Sequence, residues 1–321
     1  MKEFIGDYEL KEPLTNRNAG FSKWGIGIKD GKEYFIKEFL SPVYPEENGE
    51  LSEALVQKKI QACREYEIKE KKVINNINKC SDGNVLRISE FFRYGTKYYI
   101  ATERLYAIDR EYVYKLPYNE KIRILKVLAH SLYSMHKNNI IHGDMKLDNI
   151  IFYRTSKNKI TAKIIDVDGS FLVSDIPQDF EDIVVDQVYM APETFTMICN
   201  EEGEIDEKID VFAMGLIFYQ ILTGVLPAMD GDTYIYPYEY VLDNRKFKFA
   251  VKNDVFSIIE KMLDKNPEKR ISMEEVFEGL KNKKNEYKDK KDDGYEEEKV
   301  KTEKVKAEKY VDDFFKVAKD L

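Results

Sequence analysis

Within eight residues, His142 to Asn149 (HGDMKLDN), the chain sets a carboxylate at Asp144, an amine at Lys146 and an amide at Asn149. A second carboxylate, Asp166, follows the strand-like stretch Thr161 to Ile165. These residue types suit phosphoryl transfer from ATP. That reaction asks little covalent help of a protein, but it needs an acceptor hydroxyl held in line, divalent metal to neutralise phosphate charge and a cation on the phosphates. Asp144 is the candidate for the acceptor hydroxyl, and Asn149 and Asp166 offer oxygen ligands for magnesium, with manganese as the alternative. Lys146 can approach the group in transfer. Alone, the D-x-K-x-x-N spacing is only suggestive, arising in about one random chain of this length in twenty.

The elements needed to position these groups can be read along the chain. Up to about residue 105 the pattern is one of strands around a single helix. Ile26 to Lys29 and Tyr34 to Phe39 alternate on either side of Asp30-Gly31, a dipeptide suited to a tight hairpin. Leu51 to Ile77 reads as a long helix and Lys97 to Thr102 as a strand that leads into the second half. There, apolar residues at Ile122, Leu125, Leu128, Ala129, Leu132 and Met135 recur at helical spacing, with Asn119 as the expected cap and Asn138-Asn139 as the stop. Val211 to Met229 carries no charge, yet Gln220, Thr223, Gly224 and Pro227 interrupt it, so a buried core helix is expected rather than a membrane span.

Bulk properties narrow the class. With 43% hydrophobic and 13% aromatic residues the chain can build a large core, which excludes general disorder. A net charge of -8 repels nucleic-acid backbones and anionic membranes, so neither is an expected partner. Cys63, Cys80 and Cys199 are widely spaced and lack histidines at metal-ligand spacing, which fits reduced thiols. The start MKEFIGDYEL lacks the basic, apolar pattern of an export signal, and a cytoplasmic location is expected. Beyond about residue 283 the composition turns to mixed charge, except that Tyr310, Val311, Phe314, Phe315, Val317, Ala318 and Leu321 would share one helix face and could dock on the chain itself or on a partner.

In the order of these motifs the sequence resembles the protein kinase superfamily over roughly residues 8–282. The resemblance implies an α+β, two-lobed fold: a β-rich N-lobe (1–104) with one main helix, a mostly helical C-lobe (105–283) and a charged tail (284–321). It also implies an ATP- and magnesium-dependent transfer to a protein hydroxyl, of serine/threonine type. Lys37 in EYFIKEF looks like the lysine that holds the ATP phosphates, with Glu70 as its helix partner ahead of Glu67. Gly20 is the surviving position of the glycine-rich loop, and Thr102, Glu103 and Leu105 resemble the gatekeeper and hinge that meet the adenine edge. Ala191-Pro192-Glu193 resembles the close of the activation segment, and Arg270 in NPEKRIS is placed to pair with Glu193. Asp210 and Gly215 resemble the helix start that braces the catalytic loop, and His142 is expected to serve structure.

The pattern also departs from the family. Phe35 stands where a small residue roofs the adenine, the glycine loop is degraded, and Asp166-Val167-Asp168 carries a second carboxylate. Gly143 replaces the arginine that a phosphorylated activation loop grips, which implies some other control. Asp186 stands where a threonine is usual, leaving the acceptor class open. Two other readings follow: a pseudokinase scaffold, or a kinase acting on small-molecule hydroxyls.

Overall fold

The computed structural model describes residues 3–16, 22–46, 51–80, 85–177, 185–200, 204–230, 234–249 and 251–281. Gly20 and the whole of 284–321, including the face from Tyr310 to Leu321, lie outside them. The chain divides into two compact units, Met1–Tyr106 and Ala107–Leu321.

The first unit is a six-stranded sheet in the order β1 (Phe4–Ile5), β2 (Tyr8–Leu10), β3 (Ser22–Lys29), β4 (Lys32–Phe39), β6 (Lys97–Glu103), β5 (Ile88–Tyr94), with one helix, α1 (Glu53–Lys79). β3 and β4 form the expected hairpin. Asp30 (φ 52°) and Gly31 (φ 72°) both take left-handed backbone, the geometry that turns antiparallel strands with their natural twist. Alternation then sorts β4 into two faces. Tyr34 and Ile36 join Ile5, Tyr8, Leu10, Tyr99 and Ala101 in the core on one side. Phe35, Lys37 and Phe39 are left to the other face. On α1, Cys63, Val73, Ile74 and Ile77 are buried at helical spacing, and the Asn78 side chain clamps β5 by bonding both the N–H (3.0 Å) and the carbonyl (2.9 Å) of Ile88.

The second unit is mostly helical: α2 (Arg110–Tyr114), α3 (Tyr118–Lys137), α4 (Pro192–Asn200), α5 (Lys208–Thr223), α6 (Pro237–Leu242), α7 (Asp254–Met262) and α8 (Met273–Lys281). Two short ladders carry the loops between them: β7 (Ile140–Ile141) with β10 (Phe171–Leu172), and β8 (Ile150–Arg154) with β9 (Ile160–Ile164). α3 begins at Tyr118 after Pro117, so Asn119 lies inside the first turn and is not the cap. The ring of Pro117 fixes the entry dihedral that a side-chain cap would otherwise stabilise. α5 is apolar on every side because it is buried on every side, from Ile209 through Tyr219. It ends at Gly224, whose φ of 83° closes it in the left-handed conformation. Gly215 lets α7 come close, since a Cβ there would lie 2.9 Å from Leu263 Cδ2 and 3.0 Å from Met262 Cβ. Among the described residues no helix is long and apolar enough to cross a membrane. Against the end of α5, Lys121 of α3 is buried and donates to the Leu222 carbonyl at 2.8 Å.

Candidate active site

The segment His142 to Asn149 runs between β7 and β8 and is suspended from α5. Asp210, 1% exposed, accepts the backbone N–H of His142 through Oδ2 (2.8 Å) and that of Gly143 through Oδ1 (3.0 Å). Its Oδ2 also meets His136 Nε2 at 3.0 Å. A buried carboxylate needs several donors, and Asp210 finds them on two segments far away in sequence. His142 is fully buried, and its ring is taken up by backbone contacts. Its Nδ1 accepts the Asp144 N–H (3.4 Å), so the proton sits on Nε2, which donates to the Ile165 carbonyl (3.3 Å). Gly143 has φ 81°, and a Cβ on it would meet Phe171 Cε1 at 2.8 Å and the Gly169 carbonyl at 3.0 Å. The glycine therefore has a backbone reason to be there, independent of any lost arginine.

Asp144, Lys146 and Asn149 converge. Asp144 Oδ2 accepts from Lys146 Nζ at 2.6 Å and from Asn149 Nδ2 at 3.2 Å, and Oδ1 accepts the Asp186 N–H at 3.1 Å. Asn149 Nδ2 donates as well to the Asp144 carbonyl (2.7 Å). The carboxylate is thus oriented from three directions yet keeps 16% of its side-chain surface exposed, and Lys146 keeps 24%. Asn149 spends its amide protons on Asp144, which leaves its Oδ1 with no donor among the described residues. Asp166 is exposed, at φ 56°, in the turn after β9. The strand before it ends at Ile164, whereas the sequence pattern extended it to Ile165.

The fit to magnesium can be judged from these donors. No cluster of three or more His, Cys, Asp or Glu side chains able to hold a metal occurs among the described residues. Asn149 Oδ1 and the Asp166 carboxylate are the donors on offer, and magnesium typically takes one or two protein oxygens and completes its shell with water and phosphate oxygens. The residues present suit that ion.

Glu193 and Arg270 form the expected pair, with Nη1 to Oε1 at 2.6 Å and Nη2 to Oε2 at 3.0 Å. The Arg270 side chain is fully buried and also serves the carbonyls of Asp264 (2.9 Å) and Lys208 (2.7 Å). This bidentate fork ties the first turn of α4 to the loop before α8.

In the first unit, Lys37 is half-buried on β4 opposite Trp24 and Ile100. Glu70 is half-buried on α1. Glu67, the weaker candidate, is engaged by the Tyr98 hydroxyl (2.8 Å) and by Lys71 (3.7 Å). Thr102, paired in register with Phe35, is 3% exposed, and its hydroxyl has no hydrogen-bond partner among the described residues. Glu103 is exposed and Leu105 half-buried. Phe35 stacks on Trp24 with ring centroids 5.5 Å apart and planes 21° off parallel. Both rings lie on the sheet face that carries Lys37.

Sequence reading left His136 and Thr194 without a role and noted Asp186 only as a departure from the usual threonine; the structure connects all three to the site. His136 braces Asp210 across 74 positions, Asp186 caps Asp144 through its backbone, and Thr194 contributes a buried hydroxyl. For His136 the available signal was its place in the last turn of α3, shortly before the His142–Asn149 loop.

A two-unit chain with a six-stranded N-terminal sheet, a helical C-terminal part and an Asp-Lys-Asn loop hung from a buried helix is the architecture of a kinase. The protein kinase domain model matches residues 41–279, more than half of the chain, and the chain belongs to the protein kinase family. Among curated proteins it is 27% identical over 208 residues to calcium-dependent protein kinase 4 of Plasmodium falciparum, a match covering 61% of this chain and 37% of that protein. It is 30% identical over 169 residues to serine/threonine-protein kinase cds1 of Schizosaccharomyces pombe, covering 48% and 34%. With the Aurora kinase of the same yeast it shares 26% over 296 residues, covering 86% and 72%. The first two matches span little more than a third of those relatives' own lengths.

Proposed function

We propose that the chain is a serine/threonine protein kinase that transfers the γ-phosphate of ATP to a protein hydroxyl. The observation that carries this reading is the convergence of Lys146, Asn149 and the Asp186 amide on the one partly exposed carboxylate of Asp144. In this reading Asp144 orients the acceptor hydroxyl and takes its proton, and Lys146 steadies charge on the group in transfer. Lys37, held by Glu70, binds phosphate oxygens, and Gly20 belongs to the loop above them. Thr102, Glu103 and Leu105 meet the base, for which the unpartnered Thr102 hydroxyl is a ready polar contact. Asn149 and Asp166 hold magnesium, which when bound neutralises phosphate charge. The likeness to serine/threonine-protein kinase cds1 supports the acceptor type.

The test is labelled ATP with magnesium and a panel of protein acceptors. Wild type labels protein, while Asp144→Ala and Lys37→Ala lose the signal; equal labelling by all three proteins would refute the assignment. A second reading, a scaffold without turnover, is favoured by the stack of Phe35 on Trp24 beside Lys37, which narrows the face a nucleotide would use. It predicts no rise in melting temperature with millimolar ATP or ADP and magnesium, against a clear rise for a kinase.

A further inference from the structure

Beside Asp144 lies a cavity of about 20 Å³, room for one hydroxyl or one water. Asp144, Asp186, Tyr189 and Thr194 are among its walls. Asp144 has its cation in Lys146, and the neighbouring Asp148 has one in Arg110. Asp186 has none among the described residues. Half-buried, its carboxylate accepts the Val188 N–H on Oδ1 (2.9 Å), while its backbone carbonyl accepts the Tyr189 N–H (3.1 Å) and its own N–H serves Asp144. Asp186 lies close enough to Tyr236 that, after burial and Glu239, it helps push that hydroxyl upward. Thr194 is 1% exposed, and its Oγ1 has no hydrogen-bond partner among the described residues. A carboxylate lacking a cation and a buried hydroxyl lacking a partner, on the walls of one cavity, describe half of a recognition site.

We propose that Asp186 determines acceptor specificity, and that the acceptor carries an ammonium or guanidinium group beside the hydroxyl that meets Asp144. The hydroxyl enters the cavity toward Asp144 and Thr194, and the cation sits at the rim against Asp186. This rests on the reading of Asp144 as the acceptor-facing carboxylate, and it narrows the acceptor to a class that either a basic peptide or a small amino alcohol can supply.

Binding is measured on the full chain without nucleotide, by anisotropy of a labelled serine peptide flanked by arginines against one flanked by alanines. Ethanolamine and choline serve as competitors. Asp186→Asn keeps an oxygen for the Val188 N–H and removes only the charge, and Asp186→Thr is the second variant, each checked by its melting curve. Wild type is expected to prefer the cationic peptide by about tenfold, and both variants to lose most of that preference, as for a partly exposed charge pair. Competition by the amino alcohols assigns the cation to a small molecule, and its absence assigns it to a peptide; either supports the proposal once binding depends on Asp186. Equal binding of the two peptides, no binding of any cationic ligand, or a preference kept by both variants overturns it. Binding that depends on Asp186 in a chain that labels nothing would instead overturn the catalytic reading alone.

Discussion

Replacing Gly143 by alanine tests why this loop carries glycine before its aspartate. Two costs follow from the structure. The backbone sits at φ 81°, where an L side chain costs about 1–2 kcal/mol. The added Cβ would fall 2.8 Å from Phe171 Cε1 and 3.0 Å from the Gly169 carbonyl. Phe171 is only 5% exposed and paired across the ladder with Ile141, so the ring cannot swing aside, and overpacking of this kind costs about 1–3 kcal/mol. The total, about 2–5 kcal/mol, corresponds to a fall in melting temperature of roughly 4–20 °C for a unit of this size. Differential scanning calorimetry measures it. Phe171→Leu in the Gly143→Ala background separates the two costs, because it relieves the ring contact and leaves the backbone strain. Gly143→Arg, which restores the family's usual residue, is expected to be at least as unstable as the alanine variant. A Gly143→Ala protein melting within about 1 °C of wild type would refute the reasoning.

Two further outcomes follow from buried charge. Arg270→Met strands Glu193 and removes donors from the carbonyls of Asp264 and Lys208, so urea denaturation should show a loss of about 3–5 kcal/mol; a change below about 1 kcal/mol would show that the pair does not hold the segment. Burial lowers the Lys121 amine from 10.5 to about 8. Between those values the unfolded chain binds the proton that the folded chain has released, so stability should rise with pH from about 8 to 10.5. Lys121→Met should lose that slope while folding normally, as followed by denaturation across the pH series.

The parts of the site that local spacing alone could reveal are those whose partners lie close along the chain, whereas the Glu193–Arg270 pair, 77 positions apart, was legible only through the family resemblance. Asp144, Lys146 and Asn149 are within one loop, so their spacing alone brings them together. The hairpin at Asp30-Gly31 and the buried run of α5 were legible for the same reason, as local backbone preference and local hydrophobicity. Pro117 shows the limit of that logic: a polar residue at Asn119 looked like the cap, but the proline one residue before the helix had already set the entry. The bond between His136 and Asp210 was not legible, since neither residue's surroundings mark the other across 74 positions. The stack of Trp24 on Phe35 depends on strand register, which a sequence reading fixes only once the pairing is known. Gly143 was legible as a departure from the family, but its cause, the ring of Phe171 packed against the loop, belongs to three-dimensional contact.

Asp210 holds the amides of His142 and Gly143 rather than any side chain of the loop. The grip is therefore indifferent to which residues the loop displays. The buried helix thus fixes the backbone at the start of the loop, and the display of side chains beyond it is a separate matter.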